Sequence, residues 1–142
     1  MAGPAPPVRS LELELLPESL AVCRLGPAEP LPDWLSVEEA TASIVSVCRT
    51  AEELSVVCPE RLVPASQPHQ GGRRALRVSG TLDHSLTGIL VAIAAPLAGA
   101  GVPVFAVSTW DTDYLLVAGE DLGRAVEALT AAGHNVAGAQ GG

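Results

Sequence analysis

From Leu86 to Trp110 the chain carries no charged residue. A run of that length and apolarity is long enough to span a bilayer, and it otherwise belongs in a protein core. Ala98-Gly-Ala-Gly-Val-Pro103 breaks it into about a dozen residues of helix and then a strand. Basic residues that would anchor a membrane helix do not flank it. The expectation is therefore a buried helix followed by a buried strand, with no membrane partner.

The helix has its own signature. Leu86, Ile89, Leu90, Ile93 and Leu97 fall at helical spacing, with Asp83 or Ser85 placed to cap the start. Pro96 lacks an N–H and is expected to bend or end the last turn. Val102 to Thr109 then reads as a strand, followed by a polar turn and a second strand, Tyr114 to Val117. Ala75 to Ser79 precedes the helix as a strand. After the hairpin, Leu122, Val126 and Leu129 predict a second helix stopped at Gly133, and His134 to Val136 a last short strand. The order from Ala75 is βαββαβ, which predicts an antiparallel sheet with two helices on one face, the ferredoxin-like arrangement. Val102 to Val107 is apolar at every position, so something is expected to cover its second face or edge: the first half of the chain or a second copy.

The first half is poorer in helix. Leu11 to Leu15 alternates apolar and acidic residues, and Leu20 to Leu25 follows after Pro17, which predicts a hairpin. Pro27 to Leu35 is a proline-rich connection whose Trp34 is expected to plug a core edge, and Val37 to Ala42 reads as a short helix. Ile44 to Arg49 and Leu54 to Cys58 are β-branched runs joined by a tight turn, a second hairpin. Pro64 to Gly72 is the most loop-like interior segment and is taken as the boundary between halves at 8–70 and 73–137. The ends, 1–7 and 138–142, read as disordered.

Charge and chemistry exclude several classes. A net charge of -8 with eight basic residues argues against a nucleic-acid surface. Cys23, Cys48 and Cys58 are odd in number, without a close pair, which fits neither a disulfide framework nor zinc and points to a reducing cytoplasm. His69, His84 and His134 have no second ligand at metal spacing, and a lone histidine is structural or solvated more often than catalytic. With no nucleophile elbow and no phosphate-binding glycine loop, neither an enzyme nor a cofactor is expected.

One polar cluster stands out. Ser108, Thr109, Asp111, Thr112 and Asp113 sit at the tip of the apolar hairpin. A self-satisfied turn explains Ser108, Asp111 and Thr112. An acceptor such as Asp113 or Asp111, and the helix entry Ser85 to Gly88 with its N–H donors, together offer what a zwitterion needs.

Ser108-Thr-Trp-Asp-Thr-Asp-Tyr-Leu-Leu-Val117 resembles the ST(Y/F)xTDxxLV signature of a subgroup of ACT domains, small regulatory modules that bind free amino acids. Glu53 to Glu60, Leu82 to Ile89 and Ala95 to Ala98 are similar to short bacterial members with two tandem ACT-like halves, so the resemblance runs from about Leu11 to Val136. The family also takes in the vertebrate cytosolic arginine sensor and the regulatory end of aspartate kinases.

The resemblance implies an α+β fold of two ACT-like halves and a free amino acid or similar ligand at the seam between ACT units. It implies a homodimer, with a regulated protein as a further partner. It implies contacts from Asp113, from Pro103 and Val104 through the main chain, and from the loop Asp83, His84, Ser85, Leu86, Thr87 and Gly88. Thr109 and Trp110 complete the set. Leu86 stands where the arginine sensor places an acid, a departure from an arginine pocket. The alternative function is an interaction module that assembles with itself or an enzyme and senses nothing.

Overall fold

A computed structural model of the chain describes residues 10–36, 38, 43–79 and 88–138. Two compact units are present, Leu16–Ala75 and Met1–Leu15 with Leu76–Gly142. In chain order the strands are β1 (Glu12–Leu15), β2 (Leu20–Leu25), β3 (Ser46–Arg49), β4 (Leu54–Pro59) and β5 (His69–Val78). They are followed by α1 (Ile89–Gly99), β6 (Phe105–Ser108), β7 (Asp113–Ala118), α2 (Leu122–Ala131) and β8 (Asn135–Ala137).

The unit that contains the charge-free run has the expected α+β order from β5 to β8, with one addition. β1 pairs antiparallel with β5 (Leu13 opposite Val78) and parallel with β8 (Leu13 opposite Val136), so it sits between them. β7 joins β5 and β6, which gives the order β6-β7-β5-β1-β8. The expected hairpin of Leu11–Leu15 with Leu20–Leu25 is therefore not formed. Alternation in LELEL specifies one dry face but not a partner, and the dry face of Leu13 and Leu15 is used here against the helices.

The core of this unit follows the two periodicities. Leu13, Leu15, Leu76, Val78, Leu115 and Val117 alternate along the strands on one face, and Ile93 and Leu97 of α1 with Ala125 and Leu129 of α2 cover it. Each large side chain fully buried here contributes about 1.5–3 kcal/mol. Gly133, at φ 95°, ends the second helix as its position predicts.

α1 differs from expectation at its start. Its N-cap is Gly88, at φ 79°, with no side-chain cap, so the helix begins later than a cap at Asp83 or Ser85 implies; residues 80–87 lie outside the described residues. Pro96 does not end the helix, which continues to Gly99. Among the described residues, no helix is long and apolar enough to cross a membrane.

In the other unit β2 pairs antiparallel with β4, and β4 with β3. The turn between β3 and β4 forms as expected: Thr50 N–H donates to Glu53 O at 2.8 Å, and the Thr50 hydroxyl accepts from the N–H groups of Glu52 and Glu53. Trp34 packs against a core of Ala21, Cys23, Leu54, Val56 and Cys58. The short helix expected over Val37–Ala42 lies almost wholly outside the described residues.

Part of the segment expected as a loop, Pro64–Gly72, is strand. β5 starts at His69 and pairs with β2 through a register shift between Leu20 and Val22. Gly72, at φ 66°, and Gly71, where a Cβ would lie 1.9 Å from a Glu60 carboxylate oxygen, show why glycines stand there: the strand bulges and the Glu60 side chain crosses it closely. Glu60 then accepts the Gly72 N–H at 2.8 Å.

Candidate functional site

The β6–β7 hairpin is built in strict register, Phe105 opposite Leu116 and Ser108 opposite Asp113. Its tip is closed by threonines. Thr109 N–H donates to Thr112 O at 2.9 Å, and the Thr109 hydroxyl donates to the same carbonyl at 3.1 Å while accepting the Thr112 N–H at 3.4 Å. A two-residue hairpin turn ordinarily relies on positive φ. Here no non-glycine residue among the described residues has positive φ, and the Thr109 side chain closes the ring of hydrogen bonds instead. Trp110 and Asp111, the central pair, are thrown outward, and Trp110 is 79 % exposed.

Asp113 opens β7 on the face shared by Leu115 and Val117, the side the helices cover. The Ser108 hydroxyl donates to its Oδ1 at 2.6 Å, a short charge-assisted bond that orients the carboxylate and leaves Oδ2 to accept from elsewhere. Thr112 is 3 % exposed, and its hydroxyl donates to Val78 O at 2.7 Å. The tip is thereby fastened beside the end of β5, where segment 80–87 begins.

The residues named in advance are distributed unevenly. Ser108, Thr109, Trp110 and Asp113 are together. Gly88 caps α1, its carbonyl accepting the Ala92 N–H at 2.8 Å, and as a glycine it brings no side chain to the first amides of the helix. Asp83, His84, Ser85, Leu86 and Thr87 lie outside the described residues. Pro103 and Val104 do not join Asp113 within one unit: they precede β6 at the end opposite the tip, about 13 Å away at a strand's rise per residue. Pro103 is exposed, and Val104 packs half-buried against the core.

Within a single chain the second face of β6 stays open. Among the described residues β6 pairs with β7 alone, and Phe105 is 41 % exposed on it. An all-apolar strand reads as buried on both faces, and the edge position is what the residue pattern did not reveal.

The thiols are placed as small apolar groups. Cys23 and Cys58 are buried, Cys48 is exposed, and all three are free. Burial, with Cys23 close by, pushes the Cys58 thiol up to about 12, and burial also raises Cys23. A thiol so held supplies almost no thiolate at neutral pH. Among the described residues no group of His, Cys, Asp and Glu is arranged to hold a metal. His134, which sequence reasoning left as a lone histidine, is buried with both ring nitrogens bonded to main chain.

Comparison with known proteins follows the same division. Residues 69–131 match a family model of the ACT domain, and residues 18–66 match a model of an N-terminal domain. No curated protein matches the chain. Among solved structures, protein Atu0741 from Agrobacterium tumefaciens is 32 % identical, with 93 % of each chain covered and a TM-score of 0.81. VC0802 from Vibrio cholerae, titled a protein of unknown function and possible transport protein, is 19 % identical over 88 % of this chain and 91 % of its own, with a TM-score of 0.69. The aspartate kinase of Clostridium acetobutylicum, titled an allosteric enzyme, shares 15 % identity over 84 % of this chain and 33 % of its own, TM-score 0.61. The last two likenesses concern the fold. With the βαββαβ unit, its ACT match and a relative aligned over nearly its whole length, the chain belongs to the ACT-domain family.

Proposed function

We propose that this protein is a ligand-binding regulatory protein whose ligand is a free amino acid, held at an interface between ACT units with Asp113 accepting the ligand's ammonium group. The observation that carries the reading is the hairpin tip: a carboxylate fixed at one oxygen by Ser108, on the helix-covered face, beside the end of β5. The match to the ACT domain, and the likeness to an aspartate kinase titled allosteric, support a regulatory role. Donors for the ligand's carboxylate come from the start of α1 and the segment 83–87. Pro103 and Val104 enter the same site only from another ACT unit, which is why an interface is part of the proposal. Three free thiols favour a reducing, cytoplasmic setting.

A thermal-unfolding screen of the twenty amino acids tests the proposal. A ligand at about 100 times its Kd stabilises the fold by roughly 2.7 kcal/mol, several degrees in Tm for a chain this size. A flat screen counts against sensing.

The exposed Phe105 on edge strand β6 favours a second reading, an assembly module without a ligand. In that case the screen is flat and the protein is still a dimer.

A further inference from the structure

Pro96 lies inside α1 and has no N–H, so the carbonyl four residues before it, that of Ala92, has no donor within the helix. His134 takes the vacant place, with Nε2 2.9 Å from Ala92 O. A carbonyl only accepts, so Nε2 carries the hydrogen. On the other side of the ring, the Leu11 main-chain N–H donates to Nδ1 at 3.1 Å. Nδ1 is therefore the bare acceptor. One protonation state satisfies both contacts, the neutral ring with its hydrogen on Nε2. The residue is 3 % exposed, so solvent has little access to replace either bond.

The ring sits where the inserted strand begins. Leu11 leads into β1, Asn135 N–H donates to Leu11 O at 3.0 Å, and the Ser10 hydroxyl donates to Gly133 O at 2.9 Å. We propose that His134 is a proton-operated latch on β1. A proton added at Nδ1 converts the acceptor into an N–H facing the Leu11 N–H, expels that amide, and frees the leading end of β1 while the bond to Ala92 survives.

Among the described residues few charges surround the ring. α1 and β8 have none. β1 brings Glu12, which accepts from Asn135 Nδ2, and Glu14, 3.9 Å from Arg77. α2 brings Arg124, bound to Asp121 and the Ala100 carbonyl, and the exposed Glu127. Among the described residues none of these pairs with the ring. Because the closed form accepts only the neutral imidazole, the opened form binds the extra proton more readily. By linkage, release of β1 grows as pH falls.

The test is amide hydrogen exchange on the full chain, read by NMR from pH 8 to pH 5 and corrected for the intrinsic rate at each pH. Protection at Leu11 is expected to fall at least about tenfold on acidification, with Val56 of β4 unchanged, and ring nitrogen shifts to show the Nε2–H tautomer at pH 8. His134→Gln, which donates and accepts without titrating, is expected to hold Leu11 protection flat. A ring with its hydrogen on Nδ1 at pH 8, pH-independent Leu11 protection in the native protein, or an equal acid loss in His134→Gln overturns the latch. Should His134→Gln not fold, the native protein decides: Leu11 protection that does not fall on acidification while the ring becomes protonated overturns the latch.

Discussion

The hydroxyl of Thr112 donates to the main-chain carbonyl of Val78, thirty-four residues earlier, across the junction of β7 and β5. It is a buried bond that fastens the hairpin tip to the rest of its unit. Thr112→Val, of similar shape, removes the donor and leaves a buried carbonyl one bond short. Urea unfolding is expected to show a loss of about 1–3 kcal/mol, most of it restored in Thr112→Ser.

Asp113 and Ser108 form a more exposed pair, and their substitutions separate binding from folding. Asp113→Ala is expected to weaken a ligand found by the thermal screen at least about tenfold, the loss of one charge-assisted bond, with a change in stability under about 1 kcal/mol. Ser108→Ala frees the carboxylate without removing it and is expected to alter affinity by only a few fold. Calorimetry measures both; ligand binding unchanged in Asp113→Ala refutes the placement.

β1 tests how the C-terminal unit is completed. Leu13 is buried between β5 and β8 and packs under the helices. Leu13→Ala is expected to cost about 2–5 kcal/mol. Hydrogen exchange should record it first in β5 and β8, although those strands lie far along the chain.

The thiols supply a chemical check. Iodoacetamide at pH 8 is expected to label Cys48 alone in the folded protein, with Cys23 and Cys58 labelled only after unfolding, as counted by mass spectrometry. The raised Cys58 value also has a sign. Its thiol stays neutral in the fold above the ordinary value of 9.0 and ionises more readily once unfolded. The associated stability is present below pH 9 and drains away as pH rises toward 12, a decline that Cys58→Ala is expected to flatten while lowering the baseline.

Phe105→Glu places a charge on the open edge of β6. Sedimentation is expected to show the native chain as a dimer and the variant as a monomer with unchanged circular dichroism. Two monomers would place assembly elsewhere.

Much of this was legible in the residues. The spacing of Ile89, Ile93 and Leu97, and of Leu122 and Leu129, announces helices because a 3.6-residue period has one buried face. The polar hairpin tip lies within a few residues, so local chemistry marks it, whereas Asp113 is singled out by the family resemblance and its bond to Ser108 is seen only in the fold. What stayed hidden is long-range or compensated. LELEL declares a dry face but cannot say that β5 and β8 will flank it. His69 to Gly72 looks like a loop because glycines are read as breaks, whereas a bulge crossed by Glu60 needs them. Pro96 advertises a broken helix, but the donor that repairs it comes from His134, and no periodicity links the two.

The insertion of β1 beside β8 also sets an order of events during synthesis. β1 is made long before the strand it pairs with, Glu12 opposite Asn135, and contacts there span 123 residues. Its apolar face must wait, unpartnered along one side, until β8 has been made. The unit that holds β1 and β8 therefore cannot close as it emerges, and a circular permutant that begins at Leu76 and rejoins Gly138 to Leu11 through a flexible crossover of about a dozen residues should fold faster than the natural chain, because it shortens the longest loop closure.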